Sequence, residues 1–249
     1  MTTLALTRTH FRFLLLENLR VPIAVGSAAI FPALSLLFFV VPFGFGDDVV
    51  AATSAVIQLA VFGVLSSFLF TFGVGVADDR EKAWDPYVRT LPAAATPRIV
   101  GRLLTGFVFA LIAIVPVTIV GAALTAASVT PLRFLAGLVA MLVAGLPFLL
   151  GGLAVGYSMP VKAALPVTQL IFFPLAFGGG LFLPPQLFPG WLQTISELLP
   201  SRGARDVVIW AVQGITPSVL TIVSFVAWVA ATAALAGWAY RRDEGRRFR

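Results

Sequence analysis

The chain has 249 residues, of which 59% are hydrophobic and only 11% are charged, and its formal net charge is +6. A water-soluble domain could not hide that much apolar surface, so a soluble globular class is excluded. The sequence has no cysteine, which excludes disulfides, thiolate metal sites and a cysteine nucleophile.

Six uncharged stretches are each long enough to cross a bilayer, whose roughly 30 Å hydrocarbon layer takes about 20 apolar residues in a helix. They are continuous and rich in Leu, Ala, Val and Phe, unlike the short alternating segments of a lipid-spanning barrel. We therefore predict an all-α, polytopic membrane protein with six transmembrane helices. The predicted spans cover about residues 22–44, 51–76, 97–127, 132–156, 160–183 and 216–240.

The placement of Lys and Arg orients these spans, because positive residues near span ends are retained in the cytoplasm. With the N-terminus inside, the inner segments hold 14 of the 17 Lys and Arg residues, and the first outer loop, 46–48, carries two aspartates. We predict a multi-pass protein of the cell (inner) membrane with both termini cytoplasmic. The same bias accounts for the basic pI, so we predict no nucleic-acid partner.

Residues 1–20 mix basic and apolar side chains, among them Arg8, His10, Arg12 and Phe13. This pattern favours a helix lying at the inner membrane surface. An extension of the first span into the cytoplasm is the alternative interpretation.

Proline marks several predicted helix features. Pro32 should kink the first span, since it removes one backbone hydrogen bond. Thr96-Pro97 and Thr216-Pro217 are predicted to open the third and sixth spans, because Thr caps free amides and Pro fits the first helical position.

The cytoplasmic stretch 78–102 is longer than an ordinary connection. Asp85-Pro86 at one end and Pro92 at the other predict a short helix over about 86–91. Trp84, Tyr87 or Val88, and Leu91 would share one apolar side. Such a short helix is unstable alone, so this side needs the membrane interface or another protein, and both interpretations stand on the residues alone.

The outer stretch 184–214 is also long, and it is too apolar for an exposed loop. Its prolines and glycines suit backbone that is buried in protein at membrane depth. We predict a re-entrant segment before the sixth helix, with a second short helix after Pro200. A helical hairpin on the outer surface is the alternative.

Two motifs give the chain a resemblance to the ABC-2 type permeases, the membrane subunits of ATP-binding cassette exporters. The first runs along and beyond the fifth span: Phe173-Pro174, Gly178-Gly179, Phe182, Pro185, Phe188-Pro189, Trp191-Leu192 and Leu199-Pro200. The second lies in the cytoplasmic segment: Arg89-Thr90-Leu91, Thr96-Pro97-Arg98 and Gly101-Arg102. Family members often carry a small polar residue ahead of a glycine where this chain has Gly178-Gly179-Gly180. Within the family the chain most resembles daunorubicin-resistance-type multidrug permeases, proteins of antibiotic resistance.

The resemblance implies one transmembrane domain over 1–249, in a dimer with an identical or paralogous permease. It also implies a separate cytoplasmic ATPase that binds ATP and Mg²⁺. The chain itself has no G-x-x-x-x-G-K-[ST] phosphate loop, so we predict no cofactor and no enzymatic activity in this subunit. The short helix in 78–102 would then be the coupling helix. Its predicted ATPase-coupling residues are Trp84, Asp85, Tyr87, Val88, Arg89 and Leu91.

The resemblance also implies that the second and fifth spans border the substrate pathway. The residues this places there are Phe62, Phe70, Gln169, Phe172, Phe173 and Phe177. Aromatic rings with an occasional amide suit hydrophobic drugs or lipid-like molecules, although each ring could instead pack against lipid or another helix. An ion-coupled secondary transporter is the alternative function. It is disfavoured because all charges fall at or near the predicted span ends or in connecting segments.

Overall fold

The computed structural model describes residues 3–43, 46–83 and 96–246. Across these residues the regular structure is helical and contains no strand, which confirms the all-α prediction. Five helices of this part are long and apolar enough to cross a membrane: Val49–Glu81, Thr96–Leu124, Pro131–Ser158, Val161–Gly178 and Val219–Glu244. They match the second to sixth predicted spans. The first span stays a prediction, because the apolar stretch described for its helix, Ala29–Phe39, is too short to cross a membrane.

The described residues form eleven α-helices. In chain order they are α1 (Thr3–Leu19), α2 (Pro22–Phe39), α3 (Val49–Leu69), α4 (Gly75–Glu81), α5 (Thr96–Leu124), α6 (Pro131–Ala144), α7 (Leu146–Ser158), α8 (Val161–Gly178), α9 (Gly190–Glu197), α10 (Pro200–Gln213) and α11 (Val219–Arg246). A π-helical turn over Phe70–Val74 joins α3 to α4.

The continuous helix Val49–Glu81, which we call the central helix, is the core of the bundle. In its most apolar stretch 72% of the residues are buried, against 22% to 44% in the other four candidate spans. It contacts α2, α5, α7, α8 and α10. Asp48 caps its first turn, since the Asp48 carboxylate accepts a hydrogen bond from the Ala51 amide at 2.8 Å.

Glycines bring the backbone of α7 against the central helix. A Cβ added at Gly156 would lie 2.5 Å from the Phe72 carbonyl oxygen, and one at Gly152 would lie 3.0 Å from the Phe68 carbonyl oxygen. In a membrane, helices associate through close packing, because lipid is as apolar as the helix surface. These two glycines therefore set the distance between the two helices.

Two predicted spans differ from the observed helices. The fourth is interrupted at Gly145, between α6 and α7, because Pro147 lies in the first turn of a new helix where a missing amide is tolerated. The fifth ends at Gly178 rather than near residue 183. Gly180, with φ 72°, adopts the left-handed conformation that terminates helices, and Pro184 follows.

The predicted helix openings have different outcomes. The third predicted span is helical from Thr96, but residues 84–95 lie outside the described residues, so its opening at Thr96-Pro97 stays a prediction. The sixth was predicted to open at Thr216-Pro217, but α11 begins at Val219. Ser218 is the cap, because its hydroxyl accepts a hydrogen bond from the Thr221 amide at 3.1 Å.

Helix α1 lies on the outside of the bundle and has no buried residue. It packs on α5 at Gly101, where an added Cβ would lie 2.9 Å from the His10 Cβ. The predicted position of α1 at the membrane surface is not tested by this contact and stays a prediction.

We expect Gly156→Ala to destabilise the bundle. Its new methyl group would meet the Phe72 carbonyl and the Val76 side chain, and such overpacking typically costs about 1–3 kcal/mol. The measurement is the thermal unfolding midpoint of the purified chain in detergent. Gly151→Ala is the matched control on the same helix, since its nearest neighbour would be 3.8 Å away and alanine favours helix by about 1 kcal/mol. Equal midpoints for the two variants would contradict the proposed packing.

Candidate functional site

Eight phenylalanine rings from α2, the central helix, α8 and the segment after α8 form one connected group, which we call the aromatic cluster. Its members are Phe31, Phe39, Phe62, Phe70, Phe172, Phe173, Phe177 and Phe182. The Phe62 ring lies 4.7 Å from that of Phe182 and 5.4 Å from that of Phe172, centroid to centroid. Such spacings are those of favourable aromatic pairs. All five phenylalanines predicted from the sequence belong to this cluster.

The aromatic cluster has a buried floor and an exposed face. Phe62 is 2% exposed and Phe172 is 7% exposed, whereas Phe173 is 53% and Phe177 is 56% exposed. Phe31 is also 53% exposed. Rings from α2 and α8 are therefore exposed on the outside of this single chain, on either side of the buried Phe62.

Gln169 lies one turn of α8 before the Phe172–Phe173 pair and is exposed. Its amide has no protein hydrogen-bond partner within the described part of the chain, so both of its polar atoms are available at the edge of the aromatic cluster. The sequence reasoning missed Phe31, Phe39 and Phe182. Only Phe182 had a signal, as part of the motif after the fifth span.

A group of buried polar side chains, which we call the polar cluster, joins α10 to the central helix. It consists of Gln58, Arg202, Arg205 and Asp206. Asp206 pairs with Arg205 and accepts from Arg202 Nε at 2.6 Å. With its amide oxygen turned toward α10, Gln58 accepts from Arg205 Nη2 at 2.7 Å and Nε at 3.0 Å.

The polar cluster lies next to the aromatic cluster. Gln58 and Phe62 are one turn apart on the same helix, and Arg205 is 5% exposed. The sequence analysis placed these charges in the predicted re-entrant segment but gave them no partner. Gln58, the one amide side chain in the predicted second span, was the available signal for a buried partner.

Charged residues also gather at the other end of the central helix, which we call the basic end. Arg80 Nη1 donates to the Gly156 carbonyl at 2.7 Å, and its guanidinium pairs with Asp243 of α11 at 2.5 Å. Glu81 accepts from the Val161 amide at 2.8 Å. The last turn of the central helix is thereby attached to α7, α8 and α11.

A second set of ion pairs attaches α1 and α5 at the basic end. Asp79 pairs with Arg102, and Lys82 bridges Asp79 and Glu17 at 2.7 Å each. Burial alone would lower the pKa of Lys82, but the hydrogen bonds that its ammonium donates to the Asp79 and Glu17 carboxylates outweigh burial and raise that pKa. Lys82 is therefore a permanent cation just before residues 84–95. The predicted coupling residues Trp84, Asp85, Tyr87, Val88, Arg89 and Leu91 all lie outside the described residues.

No group of three or more His, Asp or Glu side chains in the described part of the chain is arranged to hold a metal ion. The arrangement is that of an apolar surface flanked by two charged groups at opposite ends of one helix. Such a surface can bind and pass a hydrophobic molecule, and it offers no nucleophile paired with a base.

Comparison with known proteins gives two matches. The family model described as "ABC-2 type transporter" matches residues 6–212. A relative named "Putative transport permease YvfS", from Bacillus subtilis (strain 168), is 24% identical over 187 residues, which cover 75% of this chain and 76% of the relative.

We expect Asp206→Asn to destabilise the chain, because it leaves two arginines without their shared carboxylate in a buried site. Removing one partner of a buried ion pair typically costs about 3–5 kcal/mol. The thermal midpoint of the purified chain is again the measurement. Asp47→Asn serves as the control, since Asp47 is exposed and makes no ion pair among the described residues. A midpoint for Asp206→Asn as high as that of the control would show that the polar cluster contributes no stability.

Proposed function

The chain belongs to the ABC-2 type transporter family and is a membrane component, a permease, of ABC exporters; on that basis we propose that it exports hydrophobic drugs or lipid-like molecules. The aromatic cluster is the observation that carries this proposal. Five of its eight rings lie in the helices of the second and fifth predicted spans, and its exposed face carries no charge. We also propose that the chain is a multidrug permease of the daunorubicin-resistance type. The sequence motifs along and beyond the fifth predicted span support this part of the proposal.

We propose that the exposed face of the aromatic cluster borders a second permease, identical or paralogous, so that the pathway runs between the two subunits. Phe31, Phe173 and Phe177 are more than half exposed in the single chain. Aromatic side chains are enriched in the cores of protein interfaces, which supports this placement. Gln169 would orient the polar part of a bound molecule there.

We also propose that α9 and α10 form the re-entrant segment between the fifth and sixth spans. Three contacts support it: Ser201 packs against Gly179, Arg205 meets Gln58, and Gln213 accepts from Ser54 at 2.8 Å. Along this sequence of contacts α10 runs antiparallel to the first turns of the central helix. By the positive-inside rule, the basic end would be cytoplasmic and this segment would lie in the outer half of the membrane.

Energy would come from ATP hydrolysed by a separate chain that binds ATP and Mg²⁺. The segment 84–95 would carry the coupling helix, and the ion pairs of Arg80, Asp79 and Lys82 support this placement. These ion pairs fix the helix end from which the segment departs to α1, α5 and α11, and the Arg80 hydrogen bond to the Gly156 carbonyl fixes it to α7. An ion-coupled carrier is the rival, and it would transport in vesicles under an ion gradient without the ATPase.

We expect Phe173→Ala and Phe177→Ala to weaken the response of the assembled complex to a hydrophobic drug. One lost aromatic contact is worth about 1 kcal/mol, so the drug concentration for half-maximal stimulation of ATP hydrolysis should rise about fivefold. Basal hydrolysis should hardly change. Phe38→Ala is the matched control, because Phe38 is as exposed but makes no ring contact in the cluster. If all three variants need the same drug concentration for half-maximal stimulation, Phe173 and Phe177 do not contact the drug.

We expect the triple variant Tyr87→Ala, Val88→Ala and Leu91→Ala to lose the ATPase during co-purification, since each buried apolar anchor typically contributes about 2 kcal/mol or more. Arg89→Ala is the control within the same helix and should matter less. Purified wild-type permease alone should hydrolyse no ATP. If the triple variant assembles with the ATPase and transports normally, this segment does not bind the ATPase, and the interpretation that it lies at the membrane surface is favoured.

A further inference from the structure

A cavity of about 330 Å³ opens at the basic end, away from the aromatic cluster. It lies between α1, the last turns of the central helix, α5, α7 and α11. We propose that this cavity, the basic pocket, binds the phosphate group of an anionic membrane lipid whose acyl chains lie along the adjacent helices. Its polar side is formed by Arg80, Arg98 and Arg102, and its apolar side by Leu103, Leu150 and Leu153.

Arginines outnumber carboxylates three to one among the residues that line the basic pocket, since Asp79 is the one carboxylate there. Asp79 pairs with Arg102, and Arg80 pairs with Asp243, which lies outside the lining. A paired guanidinium keeps further N–H donors, and guanidinium groups match the geometry of phosphate oxygens. The pKa of His10 is lowered by burial and then by the nearby Arg98 guanidinium.

The apolar side of the basic pocket reaches the outer surface of the bundle. Ala233 of α11 and Ile99 of α5 line the cavity and are exposed, so the pocket opens sideways between these two helices. In a membrane protein that side is where acyl chains lie. A free anion would need no such opening, whereas a lipid headgroup enters through it with its chains still in the bilayer.

Aromatic residues place the basic pocket at the depth of lipid headgroups. The Tyr157 and Tyr240 rings, both of which line the cavity, meet edge to face at 5.1 Å. Close by on α11, the Arg242 guanidinium stacks 5.1 Å from the ring centroid of Trp238, which is half exposed. Trp and Tyr collect at membrane interfaces, and basic pockets between helices at that depth hold anionic lipid headgroups.

Native mass spectrometry of the full-length chain, titrated with phosphatidylglycerol or phosphatidylcholine, measures this binding directly. We expect the wild type to prefer phosphatidylglycerol, and Arg98→Gln to bind it about tenfold more weakly. Arg98→Lys keeps the charge and should lose less. The matched control is Arg241→Gln, an exposed arginine of the same end that donates only to the Gly237 carbonyl of its own helix. It should stay within about twofold of the wild type.

A further variant separates a lipid from a free phosphate. Ala233→Trp fills the sideways opening and leaves every charge in place, so it should weaken phosphatidylglycerol binding while the thermal midpoint stays that of the wild type. Inorganic phosphate at millimolar concentration should not displace the lipid. Displacement by phosphate, with no effect of Ala233→Trp, would overturn the lipid as ligand. Equal losses in Arg98→Gln and Arg241→Gln would overturn the pocket itself, because general surface charge would then explain the preference.

Discussion

The packing of the central helix against the backbone of α7 is the contact on which the bundle depends. Lipid provides no hydrophobic force between two apolar helices, so they hold together only where their surfaces approach closely. Gly152 and Gly156 allow that approach at Phe68 and Phe72. Because α7 is fixed there, the carbonyl of Gly156 is presented to Arg80, and α11, which packs on α7, brings Asp243 to the same guanidinium.

The central helix contributes residues to the polar cluster, to the aromatic cluster and to the basic end. Gln58 belongs to the polar cluster, Phe62 and Phe70 to the aromatic cluster, and Arg80 to the basic end. A continuous helix transmits a tilt or translation along its whole length, which is about 50 Å for 33 residues. A motion delivered next to Lys82 would therefore reach the aromatic rings and the buried Arg205 together. Under the proposed function, this geometry would connect a motion at the cytoplasmic end of the central helix directly to the proposed pathway.

Much of the fold follows from the sequence, because five of the predicted spans are uninterrupted apolar runs whose length alone decides the structure. The resemblance to the family pointed to the second and fifth spans and so to five phenylalanines that the fold brings together; their place in a substrate pathway stays a prediction. Phe31 and Phe39 were not predicted as members of the aromatic cluster, because only the packing of α2 places them against Phe62 and Phe182. Helix ends were less predictable, since neighbouring residues compete for one role: Ser218 caps α11 although Thr216 precedes a proline. The polar cluster was missed because charges near a span end give no sign that the chain folds back onto Gln58.

The π-helical turn at Phe70–Val74 contains one residue more than an α-helical turn would need. If that turn became regular α-helix with every residue kept, everything beyond it would rotate by about 100° relative to the first half. Arg80 would then face away from Gly156 and Asp243, while Gln58 and Phe62 kept their neighbours. The π-helical turn therefore sets the rotation of the second half of the central helix relative to the first. A homologue with a regular α-helix here would need one residue fewer in this turn to keep the same facing.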